Sequence, residues 1–284
     1  MSAGEYFKGT EIELVANELY ERVDWPWMLN GRRVFSMGWR PNEGFLPYNW
    51  DTYSELMILY ALAIGSPSHP IPDACWNAWG RPKTTYGKYR YVFCSSGSLF
   101  VHQYSHAWID FRQLGDRYAD YWNNSVQATL ANRQYCIDNR KRYEGFGDNI
   151  WGLTACIGPG GYRGYGGGIV GNTLCDGTIA PSAVGGSVPF VPKECIRALR
   201  TMYERYNENL YGKYGFKDSF NLKEEWFARE YLGIDQGITL LMIENYRSGF
   251  VWKYFMRHPS IQKWVSLCLT PQTQHDQKTQ QEVQ

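Results

Sequence analysis

Residues 117–139 read RYADYWNNSVQATLANRQYCIDN, with apolar side chains three and four positions apart. This spacing has the period of an α-helix and predicts the clearest long amphipathic helix of the chain. The run YSELMILYALAI, residues 53–64, is apolar on nearly every side and is followed by GSPSHP. It predicts a buried helix that begins at Asp51 or Thr52 and stops sharply. Helices therefore decide the fold.

Outside these two segments, helix start signals and helical spacing recur along the chain. Segments with the two-residue period of a β-strand do not occur in turn with these predicted helices. We predict one all-α domain with long ordered loops, spanning residues 1–268. The segment 269–284, rich in Gln and Thr, is predicted to be disordered. The further predicted helices are Thr10 to Val23 with a Thr10–Glu13 capping box, Pro72 to Ala78, Pro192 to Glu208 and Asp235 to Met256.

The composition excludes several classes of partner. The 284 residues carry a formal net charge of +1, so neither nucleic acid nor an anionic membrane surface is an expected partner. Apolar runs stay well short of the roughly 20 residues of a membrane span. Met1 leads into a polar segment without the pattern of a signal peptide, so the compartment stays open. Aromatic residues make up 17% of the chain, which fits either a Trp-rich core or a ligand groove.

Metal and cofactor binding are not expected from the sequence. The seven cysteines are odd in number and scattered without CxxC spacing, which argues against a zinc site and against a complete disulfide framework. We expect most of them to be buried as small apolar residues. The glycine-rich GPGGYRGYGGG, residues 158–168, lacks the GK[ST] of a phosphate-binding loop, so a nucleotide is not expected either.

The stretch from Leu99 to Tyr165 contains LFVHQYSHAWIDFRQL and GFGDNIWGLTACIGPGGYRGYG. It sets histidines, carboxylates, an arginine and tryptophans into loops, a mixture that suits a groove for sugars. Aromatic rings cover the apolar faces of a pyranose, and polar side chains bind its hydroxyls. The candidate rings are Trp39, Trp50, Trp108 and Trp151, of which at least two are expected to stack on a sugar, and the candidate polar groups are Arg40, Asp51, His102, His106 and Asn149.

Two of these candidates have an alternative interpretation. His102 and His106 stand four residues apart, with Asp110 one further turn on, which is a spacing that metal ligands use. A third ligand and an open position are not evident, so sugar contact or a hydrogen-bonded structural role is favoured over metal. Arg112 beside Asp110 predicts a buried ion pair that braces the loop.

Two carboxylates lie in or beside these loops, where a sugar could reach them. Glu55 follows the GFLPYNW loop at the start of an apolar helix, although it could instead close a capping box with Thr52. Asp148 lies in a glycine-flanked loop before Trp151, where it could also simply hold a turn. Asp235 is interpreted as a helix N-cap.

Seven motifs resemble, in order, those of the bacterial glycoamylase-like domain. This domain is shared by the endo-β-1,2-glucanases of glycoside hydrolase family 144 and is related to the hydrolase-like domain of cyclic β-1,2-glucan synthases. The resemblance runs from about Ala3 to Trp264. Its motifs are YERVDWPWML, MGWRPNEGFLPYNWDTYSE, LFVHQYSHAWIDFR, GFGDNIWGLTA, DGTIAPSAVGGSVPF, YGFKDSFNL and YLGIDQGITLLMIENYRSGFVW.

The resemblance implies an (α/α)6 toroid that cleaves β-1,2-linked glucan internally with inversion at the anomeric carbon. Glu55 matches the position resembling the family's general acid, and Asp148 stands where the family usually has Glu. The alternatives are a retaining transglycosylase and a non-catalytic glucan-binding fragment. Relatives are often periplasmic or secreted.

Family members also carry an N-terminal part ahead of the matching region, so the toroid is expected to be incomplete at its N-terminus. A missing part would leave apolar faces such as that of LMILYALAI, residues 56–64, exposed for self-association.

Overall fold

The structure is a computed structural model that describes residues 1–167 and 174–272. Its helices are α1 (Ser2–Tyr6), α2 (Glu11–Glu21), α3 (Trp25–Leu29), α4 (Met57–Gly65), α5 (Phe100–Gln103), α6 (Tyr121–Asp138), α7 (Pro181–Gly185), α8 (Pro192–Leu210), α9 (Gly233–Ser248), α10 (Phe250–Phe255) and α11 (Pro259–Cys268), with 3₁₀ turns at Asp73–Asn77 and Ser105–Ala107. Helices thus form the framework, as predicted.

Short antiparallel strand pairs join the loops between these helices. The pairs are β1 (Phe35–Ser36) with β4 (Asn49–Trp50), β2 (Trp39–Arg40) with β3 (Gly44–Phe45), β5 (Lys83–Tyr86) with β6 (Tyr89–Val92), β7 (Leu114–Gly115) with β14 (Thr270–Pro271), β8 (Ala155–Gly158) with β9 (Gly161–Gly164), β10 (Tyr211–Gly212) with β11 (Gly215–Phe216), and β12 (Phe220–Asn221) with β13 (Trp226–Phe227). Every sheet in the described ranges has two strands. The strands are two to four residues long, too short to produce an alternating sequence signal.

The described chain divides into two compact units. The first unit comprises residues 1–82, 108–121 and the segment from Phe250 onward, and the second comprises residues 83–107 and 122–249. Single-domain organisation over residues 1–268 stays a prediction. The predicted disorder of 269–284 is wrong for its first residues, because Thr270 and Pro271 pair with β7. The rest of that tail, from residue 273, lies outside the described residues, as does residue 168 at the end of the glycine-rich run.

In the first unit, α4 packs along α11. The contact is close because Gly65 ends α4 against the backbone of Ser260, whose carbonyl oxygen occupies the space that a Cβ would need. Met57, Tyr60 and Ile64 are buried. The expectation that the LMILYALAI face would be exposed is therefore wrong, since α11 covers it. Exposed apolar residues occur instead on α2, where they are Ile12, Leu14, Val15 and Leu19.

The start of α2 differs in detail from the predicted capping box. Thr10 is the N-cap residue, but its hydroxyl donates backward to the carbonyl of Phe7. The carboxylate of Glu13 accepts the backbone N–H of Gly9 at 2.6 Å. The helix thus begins where predicted, although the carboxylate of Glu13 bonds the backbone N–H of Gly9 instead of that of Thr10.

In the second unit, α6 confirms the predicted long helix, and its buried face carries polar side chains. Asn124 accepts the backbone N–H of Val92 at 2.6 Å and donates to the carbonyl of the same residue. Asn132 bonds both backbone groups of Leu153 in the same way. These side-chain amides form the backbone hydrogen bonds that a neighbouring strand would otherwise form. α6 therefore fixes the position of β6 and of the segment before β8.

The predicted helix from Asp235 to Met256 is interrupted. α9 ends at Gly249, which adopts a left-handed conformation with φ of 65°, and α10 begins at the next residue. Glycine accepts this conformation without a steric penalty and therefore terminates helices. By contrast, the helix predicted from Pro192 is confirmed, with proline in its first turn.

Candidate active site

Glu55 lies in a turn ahead of α4, whose first residue is Met57. Because the helix does not begin at Thr52, the alternative that Glu55 closes a capping box there is wrong. Thr52 instead forms a β-bridge with Gly80. The neighbouring side chains of Tyr53 and Leu56 are buried, whereas Glu55 stays partly exposed. Glu55 is thus a carboxyl group at the edge of a core.

The environment of Glu55 favours its protonated form. Burial disfavours the charged carboxylate and raises the pKa of Glu55, and a hydrogen bond from its own backbone N–H partly opposes that shift. A raised pKa is the direction of shift that suits a group donating a proton to a leaving oxygen. The position therefore has the property that a general acid needs.

Aromatic side chains are exposed in the same unit on the β2–β3 hairpin. Trp39 pairs in register with Phe45, and the ring of Trp27 on α3 lies 4.8 Å from Phe45 and 5.9 Å from Trp39. The exposed fractions of Trp27 and Trp39 are 49% and 46%. We call Trp27, Trp39 and Phe45 the aromatic platform. Exposed rings of this kind are suitable for stacking on the apolar face of a sugar.

Of the other predicted site residues of the first unit, Arg40, Trp50 and Asp51 precede the Glu55 turn and Trp108 lies later in the chain. Arg40 on the hairpin forms an ion pair with Glu43 at 3.0 Å. Trp50 is half-buried in β4, and the carbonyl of Asp51 accepts the N–H of Gly80 at 2.7 Å. Trp108 is partly buried, with its ring 6.0 Å from Phe255. All four present some surface to solvent.

The predicted ion pair between Asp110 and Arg112 is present at 2.6 Å. Its side chains are 24% and 53% exposed, so the pair is not buried as expected. The guanidinium lies 4.5 Å from the ring centroid of Trp252, which adds a cation–π contact to the ion pair.

In the second unit, Asp148 is exposed in a tight turn in which Gly147 bridges Ile150. Its backbone carbonyl accepts the guanidinium Nε–H of Arg133 at 3.1 Å. Asn149 is partly exposed in the same turn, whereas Trp151 has no exposed surface. Trp151 is therefore a core residue, and its predicted contact with sugar is wrong. Asp148 and Asn149 keep the exposure that a substrate contact requires.

His102 and His106 do share a face, but that face is buried. His106 is 0% exposed, and its Nε2 is hydrogen-bonded to the hydroxyl of Ser125 at 3.0 Å. His102 is 3% exposed beside the ring of Tyr91. Burial lowers the pKa of each imidazole to about 3, so both are neutral at physiological pH. Their predicted contact with sugar is wrong, and the hydrogen-bonded structural alternative holds.

The sequence did not indicate a pair of buried carboxyl groups in this unit. Asp218 and Asp235 are each 1% exposed and interact electrostatically, and Asp218 Oδ1 and Asp235 Oδ2 have no hydrogen-bond partner among the described residues. Asp218 also accepts the backbone N–H of Ile157 at 2.7 Å. Asp235 lies in the first turn of α9, but the N-cap position belongs to Leu232, so its interpretation as an N-cap is wrong. Burial raises the pKa of both groups, and for Asp235 the neighbouring Asp218 adds to the shift.

The aromatic platform was also only partly anticipated. Trp39 was a candidate, whereas Trp27 and Phe45 were not, although both lie in aromatic, proline-containing loop segments, DWPW and GFLPYNW.

Clusters of His, Cys, Asp and Glu that could hold a metal ion do not occur within residues 1–167 and 174–272. All seven cysteines are free thiols, and four of them are buried. Across the described part of the chain, each helix is too short or too polar to cross a membrane.

Comparison with known proteins assigns the family. The glycoamylase family model, described as “Putative glucoamylase”, matches residues 47–259, which include Glu55, Asp148 and the Asp218–Asp235 pair. The chain therefore belongs to the glycoamylase family, as the motifs indicated.

Individual relatives agree with this assignment. The exo-β-1,2-glucooligosaccharide sophorohydrolase (non-reducing end) of Parabacteroides distasonis is 30% identical over 93% of this chain, which spans 41% of that protein. An endo-β-1,2-glucanase from Chitinophaga pinensis, solved with sophorotriose and glucose, is 35% identical with a TM-score of 0.88, covering 95% of this chain and 68% of that one. A “putative glucoamylase” from Bacteroides uniformis is 38% identical with a TM-score of 0.87 and the same coverages.

Proposed function

We propose that this chain is a glycoside hydrolase that cleaves β-1,2-linked glucan. The observation that carries the proposal is Glu55, a carboxyl group whose pKa burial raises, in a chain similar to a sophorohydrolase and to an endo-β-1,2-glucanase. The aromatic platform supports a sugar ligand, because rings that are about half exposed can stack on glucose. We further propose the (α/α)6 toroid of the resemblance as the architecture of residues 1–268.

In the proposed reaction, Glu55 donates its proton to the glycosidic oxygen as the bond to the anomeric carbon breaks. A second carboxylate, for which we propose Asp148, assists the attacking water or binds substrate hydroxyls. Water attacking the opposite face inverts the anomeric centre. We propose that Trp39, Arg40, Trp50, Asp51, Trp108 and Asn149 contact the sugar, with the rings stacking and the polar groups bonding hydroxyls.

The position of cleavage has two candidates. We favour endo-cleavage, as in the name of the Chitinophaga pinensis relative. Exo-release of disaccharide is the second candidate, because the Parabacteroides distasonis relative is named for that activity.

Product analysis tests the proposal directly. The chain is incubated with linear β-1,2-glucan, with β-1,3-glucan and starch as controls, and the products are separated by chromatography. A ladder of short β-1,2-linked oligosaccharides supports endo-cleavage, whereas early accumulation of sophorose alone supports exo-cleavage. Absence of products from a folded chain that still binds the glucan in calorimetry contradicts the hydrolase and favours the binding fragment.

The anomeric configuration of the first product is read by NMR during the first turnovers. Initial appearance of the α-anomer from the β-linked substrate supports inversion. Initial appearance of the β-anomer supports the retaining transglycosylase alternative.

A further inference from the structure

A buried polar cluster lies behind the turn that carries Glu55. We call Trp76, Trp79, Arg81, Asp116 and Tyr121 the Arg81 cluster. Arg81 and Asp116 form an ion pair at 3.4 Å with both side chains only 4% exposed. The hydroxyl of Tyr121 accepts from Arg81 Nε at 2.8 Å and donates to Asp116 Oδ2 at 2.8 Å. The indole N–H of Trp76 donates to the same carboxylate oxygen at 2.9 Å.

Further hydrogen bonds hold Arg81 and Asp116, whereas the buried indole N–H of Trp79 has no hydrogen-bond partner among the described residues. Arg81 donates to the backbone carbonyls of Trp79 and Trp76 at 2.7 and 2.8 Å, and its guanidinium lies 3.3 Å from the Trp79 ring centroid. The other oxygen of Asp116 accepts the backbone N–H groups of Tyr118 and Ala119. A buried ion pair contributes little net stability compared with apolar residues of the same size. What the hydrogen-bonded network around Arg81 and Asp116 does provide is a single fixed geometry for the backbone it holds.

That backbone is attached to the Glu55 turn. Gly80, between Trp79 and Arg81, donates its N–H to the carbonyl of Asp51 at 2.7 Å and accepts the N–H of Tyr53 at 2.8 Å. The ring of Tyr53 lies parallel to that of Tyr121, with 6.4 Å between centroids and 1° between planes. The cluster therefore holds the residues immediately before Glu55 through two backbone bonds and one ring contact.

We propose that the Arg81 cluster is a positioning device for the proposed general acid, with Tyr121 and Arg81 as positioning residues that act on Glu55 through Gly80 and Tyr53. The inference rests on the proposed function of Glu55. Residues of a turn have no helical hydrogen bonds to fix them, so their geometry must come from outside the turn. Misplacement of a reacting group by about 1 Å can cost on the order of 100-fold in rate.

The variant Tyr121→Phe tests this proposal. It keeps the ring beside Tyr53 and removes the hydroxyl that joins Arg81 to Asp116. The matched control is Tyr20→Phe, which removes a buried hydroxyl that donates to the carbonyl of Leu62 in the same unit. Both variants are expected to lower the melting temperature, because each loses buried hydrogen bonding. Only Tyr121→Phe is expected to disturb Glu55.

Two readouts separate positioning from stability. The pKa of Glu55 is measured by NMR titration of ¹³C-labelled glutamate carboxyls, with the signal assigned through Glu55→Gln. A loosened turn admits water, so Tyr121→Phe is expected to move the pKa of Glu55 down toward its ordinary value, whereas Tyr20→Phe leaves it unchanged. On linear β-1,2-glucan, Tyr121→Phe is expected to lower kcat by about 10- to 100-fold with KM changed less than about twofold.

An unchanged pKa of Glu55 in folded Tyr121→Phe overturns the inference, and so does an unchanged kcat. Failure of the proposed function gives a different result. In that case Glu55→Gln keeps the wild-type turnover, or the wild type has none. The NMR titration needs no turnover and still decides whether the cluster positions Glu55.

Discussion

The Asp218–Asp235 pair makes the stability of this protein depend on pH. Both side chains are 1% exposed, and burial together with the neighbouring charge of Asp218 favours a proton on Asp235. Burial, with a contribution from Asp218, raises the pKa of Asp235 from 3.8 to about 8. The nearby charge of Glu230 also contributes to the raised pKa of Asp218, and the thiol of Cys156 lies close to the pair. The variant Asp235→Asn removes this dependence.

The sign of the effect follows from proton binding. Between pH 3.8 and about 8 the folded state holds a proton that the unfolded state has released. The stabilising contribution is therefore complete below pH 3.8 and is lost as the pH rises through about 8. One proton changes the free energy of unfolding by at most about 1.4 kcal/mol per pH unit, so the loss from about pH 6 to about pH 8 is up to about 3 kcal/mol.

The free energy of unfolding is measured by urea titration at about pH 6 and about pH 8 for the wild type, Asp235→Asn and the control Asp138→Asn. An asparagine amide can donate to Asp218 at any pH, so Asp235→Asn is expected to lack this loss and to gain about 2 kcal/mol on the wild type between the lower and the higher pH. Asp138 is exposed, and its variant is expected to follow the wild type. Equal pH dependence in wild type and Asp235→Asn would refute the proton on Asp235.

Three further predictions concern other parts of the chain. The buried imidazole of His106, whose pKa is lowered to about 3, makes the free energy of unfolding fall as the pH drops from 6.5. His106→Gln is expected to reduce that loss when unfolding is followed at acid pH. The same loss of stability at acid pH in the variant and the wild type would argue against this role of His106. Trp39→Ala is expected to raise KM for β-1,2-glucan about 3- to 10-fold at unchanged kcat, since it removes one ring of the aromatic platform; an unchanged KM excludes Trp39 from substrate binding. The exposed apolar residues of α2, such as Leu14 and Leu19, are expected to cause concentration-dependent association in light scattering, which a monomer at all concentrations would contradict.

The sequence predicted helices well where their own spacing and end signals decided them. α2 and α8 begin at the predicted positions because Thr10 and Pro192 are local start signals. α4 begins later than predicted because Asp51 and Tyr53, on either side of Thr52, are hydrogen-bonded to Gly80, which is distant in sequence. The end of α9 had a local signal in Gly249, but helical spacing continues beyond it in Phe250–Phe255 and concealed the break.

The candidate site was harder to predict than the helices. The spacing of His102 and His106 places them on one face, but spacing does not say whether that face meets solvent or the core. Asp218 and Asp235 are 17 residues apart in numbering, and only the fold brings their carboxyl groups together. Glu55 could be selected because a motif and an apolar helix flank it. Its raised pKa depends on burial, which the sequence does not contain.

The central claim is that Glu55 protonates the leaving group in β-1,2-glucan hydrolysis. The most direct test compares the turnover of linear β-1,2-glucan by the wild type, Glu55→Gln and Glu43→Gln, the last being an exposed carboxylate on the β2–β3 hairpin. Glu55→Gln is predicted to lose turnover by about 100-fold or more while remaining folded, and Glu43→Gln to keep it. A Glu55→Gln variant that turns over glucan at the wild-type rate would contradict the account.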